Sequence, residues 1–141
     1  MIEFSVRTFL LDQVAVEGIV GQRVYPLRAP QDVSTYPLVV YRRTGGVRNH
    51  NLDGGVRVST ADLEFAAIAE SYDAAKTLAD ELRKALQGWR GTVGGDTVTA
   101  VLHADEKDDY FDPEDGSDNG YFIVATSFQV QYREEVVHEV D

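Results

Sequence analysis

The run "DEKDDYFDPEDGSDNG", residues 105–120, sets eight carboxylates against a single ammonium. Clustered carboxylates can ligate a hard cation, share a proton as an acid–base pair, or act through charge on a surface. An EF-hand loop needs oxygen ligands at positions 1, 3 and 5, Gly at 6 and a bidentate Glu at 12. Counted from Asp115, the match reaches Asp115, Ser117, Asn119 and Gly120, but position 12 is Thr126. A calcium-binding module built on residues 115–126 is therefore a rival reading, not the leading one. A glycosidase-like pair needs two carboxylates at fixed separation, one of them desolvated enough to hold its proton. Crowded acids in a stretch with Pro and Gly offer no such pocket.

Other reactive residue types are scattered. His50, His103 and His138 lack metal-ligand spacing, and each reads as solvated or locally bonded. No G-x-S-x-G elbow occurs. "GTVGGD" lacks the Lys-Ser/Thr of a phosphate loop, so Gly91, Gly94 and Gly95 read as turn residues. Arg42, Arg43 and Arg48 flank a glycine pair without the aromatics and broad positive charge of a nucleic-acid surface. They fit a solvated strand end or a contact to acidic groups. No catalytic, cofactor or metal residue is assigned. The candidates are partner- or channel-facing: Asp105, Glu106, Asp108, Asp109, Asp112, Glu114, Asp115 and Asp118 on the acidic side, and Arg42, Arg43 and Arg48 on the basic side.

Composition sharpens that choice. The net charge of −11 argues against broad phosphate binding. It is also uneven: residues 1–60 carry seven Arg and five acids, a net of +2, and residues 61–141 a net of −13. Such asymmetry concerns partners, not fold. With no cysteine there is neither a disulfide framework nor a thiolate site. No apolar run approaches the ~18 residues of a membrane span, and the N-terminus lacks a signal-peptide pattern. A single domain over residues 1–141 is expected, with an acidic loop at 105–120 and a short acidic tail at 134–141.

The elements that must position these residues follow from periodicity. "IEFSVRTFLLDQVAVEG" places Ile2, Val6, Phe9, Leu10 and Val14 on one stripe, which predicts one helix ending near Gly18. A proline-bearing connector follows. "YPLVVYRRTGGV" and "VRVSTADLEFAAIAE" read as strands, the second with a parity break that a bulge near Ala61 would explain. "SYDAAKTLADELRKALQG" predicts a helix capped by Ser71 and closed by Gly88, with Ala74, Leu78, Leu82 and Leu86 inward and an Asp80–Lys84 pair outside. Trp89 is expected to fold back on the core. "TVTAVLHAD" and "YFIVATSFQVQYR" complete the strands, the last alternating strictly from Phe122 to Tyr132. The order α-β-β-α-β-β predicts an α+β two-layer sandwich: a mostly antiparallel sheet of four or slightly more strands, both helices on one face. The other face is left for water or a neighbour.

Three segments together resemble the small bacteriophage tail completion proteins, also called tail terminators or head-to-tail joining proteins. They are "GQRVYPLRAPQDVSTYPLVVYRRTGG", "EFAAIAESYDAAKTLADELRKALQG" and "YFDPEDGSDNGYFIVATSFQVQYR". The resemblance implies an α+β structural virion protein without catalysis or cofactor. It implies a ring, commonly of six subunits, that caps the head-proximal end of the tail tube. Its implied partners are itself, the tube protein and the head–tail connector, with DNA passing through unbound and no membrane involved. A head-side stopper or adaptor is the neighbouring alternative. The charge split fits this picture, because unlike ends can meet in a head-to-tail interface.

Overall fold

The computed structural model describes residues 1–31, 35–47, 58–112 and 120–134. Helices α1 (Ile2–Leu11) and α2 (Val14–Val20) open the chain, followed by strands β1 (Val24–Pro26), β2 (Leu38–Val47) and β3 (Ser59–Ala69). Helix α3 (Tyr72–Leu86) precedes β4 (Gly91–Val93), β5 (Asp96–Phe111) and β6 (Tyr121–Glu134). The strands form one sheet in the order β1-β2-β3-β6-β5-β4.

The expected four-stranded, two-helix sandwich is thus corrected. The sheet has six strands, is mixed because β1 runs parallel to β2, and curls into a half-barrel beside three helices. The physical reason lies in the additional elements. Strands β1 and β4 have three residues each, too few to display an alternation. The first helix divides because Gln13 adopts an extended backbone, while the Asp12 amide turns back to the Thr8 and Phe9 carbonyls. Val14, expected on the buried stripe, is 86% exposed as a result, and Val16 and Val20 are buried instead.

One core joins the layers. Ile2, Val6 and Leu10 of α1, and Ala75, Leu78, Ala79, Leu82 and Leu86 of α3, pack with Leu63, Phe65, Ala67, Phe128, Val130 and Tyr132 of the sheet. The alternation read in β6 holds, since Val124, Thr126, Phe128, Val130 and Tyr132 are all buried. Phe65 stands at the centre, 6.0 Å from Tyr41 on one side and 6.0 Å from Phe128 on the other. Trp89 folds back as expected and stacks on Phe9 with ring centroids 3.8 Å apart. Strand β3 pairs without interruption with β6; the irregularity lies across from it, in β2 between Arg43 and Gly45, not at Ala61. Gly94 and Gly95 both take positive φ, as a two-residue turn between Val93 and Asp96 requires.

Helix α3 keeps its expected start. The Ala74 amide donates to Ser71 Oγ at 3.2 Å, and Gly88 follows the helix at φ +78°. The expected Asp80–Lys84 pair is replaced by two i,i+3 contacts, Arg83 with Asp80 and Lys84 with Glu81. Ser71→Ala should cost about 1 kcal/mol, because one first-turn N–H loses its acceptor. Urea denaturation read by circular dichroism would show a lower midpoint at unchanged slope.

Candidate interaction surfaces

The acidic run does not behave as one loop. Its first part, Asp105–Phe111, is the distal half of β5, paired with β6 as far as Phe111–Tyr121. The loop expectation missed this because like charges at successive positions are unfavourable for a strand in isolation, whereas pairing with β6 overrides that local preference. Asp112 follows and is exposed. Glu114, Asp115 and Asp118, with Arg48 on the basic side, lie outside the described residues, as do His50 and His138.

Strand geometry then sorts the acids by face. Residues directly opposite each other on neighbouring strands share a face. Glu106 lies opposite buried Thr126 and Asp108 opposite buried Val124, so both project to the helix side. There Lys76 of α3 bridges them, with Nζ 3.2 Å from Glu106 Oε2 and 2.8 Å from Asp108 Oδ1. Tyr72 donates its hydroxyl to Asp108 Oδ2 at 2.7 Å, and the Lys76 ammonium lies 5.5 Å from the Tyr72 ring centre. Asp105 and Asp109 project to the opposite, helix-free face, opposite Ser127 and Ile123. Lys107 stands between them on that face, 3.7 Å from Asp105.

The clamp on Asp108 is electrostatic. The hydrogen bonds from Lys76 and then Tyr72 hold its carboxyl below the usual carboxylate range, and the bonds from Lys76 to Asp108 and Glu106 raise the ammonium above its ordinary value. A carboxylate with a depressed folded pKa contributes its link above the ordinary value and loses it as pH falls through the lowered one. Lys76→Met should therefore move the Asp108 titration upward, as followed by the carboxyl carbon's NMR shift. An unmoved titration would show that the α3–β5 contact is not electrostatic. Sequence reasoning missed Lys76 and Tyr72. Their only signal was an i,i+4 aromatic–cation spacing on the half-exposed face of the helix.

The arginines also separate. Arg43 turns inward: its guanidinium meets Glu3 Oε1 at 3.3 Å, the Gly45 carbonyl at 3.0 Å and the Thr60 carbonyl at 3.4 Å. Its role is to fasten α1 to β2. Arg42 takes the helix-free face and pairs with Glu64 at 3.1 Å. Across that face Arg42, Glu64, Ser127 and Asp105 are successive cross-strand neighbours, forming one row from β2 to β5.

Position 12 of the calcium-loop alternative, Thr126, is fully buried in β6, where its hydroxyl lies 2.9 Å from His103 Nε2. It faces the core, not a loop. His103 is locally bonded, as its sequence context suggested. Among the described residues, no group of three or more His, Cys, Asp or Glu side chains is arranged to hold a metal ion. No helix there is long and apolar enough to cross a membrane.

Known proteins supply the comparison. No curated protein matches the chain. Its fold is similar to that of a chain in the virion of a native gene transfer agent particle, with a TM-score of 0.67 and 14% identity over 93% of each chain. The sequence pattern of the family described as Tail completion protein gp17 matches residues 5–128, from α1 into β6. The chain belongs to that tail completion protein family.

Proposed function

We propose that the protein forms a ring, in the first instance of six copies, at the head-proximal end of a phage tail tube. There it ends tube polymerisation and joins the tail to the head connector. The structural role in tail completion follows from family membership, and the match over residues 5–128 is the observation that carries the proposal. The partners are other copies of the chain, the tube protein and the connector, with DNA passing through the ring. The division of charge supports it, with the first 60 residues at +2 and the remainder at −13. The outward-turned acids Asp105 and Asp109, with exposed Asp112 after them, face a neighbouring subunit or the DNA channel. In a channel they would repel DNA over roughly 8 Å at physiological salt.

The test is the tail-length distribution in particles assembled without this protein. Overlong tails without heads are expected. Tails of normal length that fail to join heads would place the protein on the head side instead, and normal tails on normal heads would sink the proposal. Within assembled particles, replacing Asp112 and the acids beyond it with Asn or Gln should slow DNA ejection without preventing ring formation. Normal ejection would remove the channel role.

A further inference from the structure

The two edges of the sheet differ in a way that specifies a contact. Strand β4 pairs with β5 only as far as Val98, and the Gly88 amide occupies the Val101 carbonyl at 3.1 Å. From Leu102 to Phe111, no strand among the described residues lies on that side of β5. Alternate residues of a strand paired on one side direct their N–H and C=O groups away from it. The result is an open template about 30 Å long, at ~3.3 Å per residue. Edge strands are ordinarily short, bulged or covered. This one is long and, past a bulge between His103 and Asp105, runs on to Phe111; its helix-free face offers Leu102, 53% exposed, together with Asp105 and Asp109.

The opposite edge has the complementary features. Strand β1 covers β2 only over Val39–Tyr41. Just past it, Leu27 sits at φ +65° and is 75% exposed. Its amide donates to the Tyr41 carbonyl, and the Arg28 amide reaches the Pro26 carbonyl at 2.7 Å across it, closing a γ-turn. A γ-turn with positive φ at its centre is rare and strained, and strain of this kind gathers at functional sites. The turn holds an apolar side chain out beside exposed Arg28, and the Leu27 bond fixes it to Tyr41, the residue before Arg42 in β2.

We infer that a second copy of this chain docks its β1–β2 edge on the open edge of β5, so that the sheet continues from one copy into the next. The inference rests on the assembly reading above and names the surfaces that carry it. Register supports it: the row Arg42–Glu64–Ser127–Asp105 ends in a cation at one edge and a carboxylate at the other. Continuing the sheet brings the Asp105 end of one row to the Arg42 end of the next, and sets Leu27 near Leu102. Because the two surfaces differ, the contact is heterologous, as a closed ring requires.

Sedimentation velocity on two double variants tests the inference. Asp105→Lys with Asp109→Lys, and Arg28→Glu with Arg42→Glu, should each weaken self-association roughly tenfold or more, because like charges then face each other. An equimolar mixture of the two should recover the assembly, since every contact again joins unlike charges; that recovery also shows that both variants fold. Hydrogen exchange should slow in peptides spanning residues 102–111 of the assembled wild type. Wild-type oligomers indifferent to both reversals, with unchanged exchange at β5, would overturn this contact and leave the ring standing. A wild-type chain that stays at 15.6 kDa at every concentration would overturn the assembly reading itself.

Discussion

Phe65→Ala should destabilise the protein by about 3–5 kcal/mol, the range for emptying a buried aromatic site. The ring is 1% exposed and lies between Tyr41 of β2 and Phe128 of β6, so its removal opens a cavity shared by three strands. Strands β3 and β6 are held by one continuous ladder, from Ser59–Tyr132 to Ala69–Phe122, and cannot collapse inward to fill the space. Against a total stability of about 5–15 kcal/mol, the loss is large. The melting midpoint should fall by roughly 10 °C, at about 2–4 °C per kcal/mol for a chain of this size. Calorimetry on the monomeric form would decide it. A shift of a degree or two would mean that the centre of the sheet repacks and is not rigid.

Gly46→Ala should be nearly as damaging for a different reason. Gly46 has φ +135°, a region that residues with a Cβ avoid, and an added methyl would run into the Thr60 carbonyl and approach the Arg43 guanidinium at 2.8 Å. Strain of about 1–3 kcal/mol and crowding of about 1–3 kcal/mol combine to roughly 2–6 kcal/mol. Displacing the guanidinium also loosens its bond to Glu3, which ties α1 to the sheet. Gly18→Ala is the matched control. Gly18 lies inside α2 with nothing within 4 Å of the added methyl, and the change should stabilise by about 0.5–1 kcal/mol. Guanidinium titration of the two variants should move the midpoint in opposite directions. Equal and small shifts would show that the backbone at Gly46 relaxes freely.

What the sequence made legible was whatever repeats. The inward face of α3 and the strict alternation of β6 were both readable, because several residues at one period vote together for the same face. Ser71 and the paired glycines after Val93 were readable because their backbone roles are narrow. What stayed hidden depended on contacts distant along the chain. The break at Gln13 lets α2 turn away from the line of α1 and pack against both α1 and α3, and nothing in "LLDQVAVEG" marks it. The strand character of Asp105–Phe111 comes from pairing with β6 and from Lys76, more than 25 residues upstream, which offsets two of the acids. The candidate surface is therefore drawn from composition, and the strand pairing of Asp105–Phe111 redraws its shape. The acids were named as a partner-facing group, but only the sheet register separates Asp105 and Asp109, turned outward, from Glu106 and Asp108, held by α3. Arg42 and Arg43, adjacent in sequence and alike in charge, serve opposite faces for the same reason.

The most direct measurement is an electron cryomicroscopy reconstruction of the head–tail junction in assembled particles. The account predicts one closed ring of this chain between the last ring of the tube and the head connector. Finding the chain at the distal end of the tail, on the capsid surface, or as isolated copies without mutual contact would contradict it.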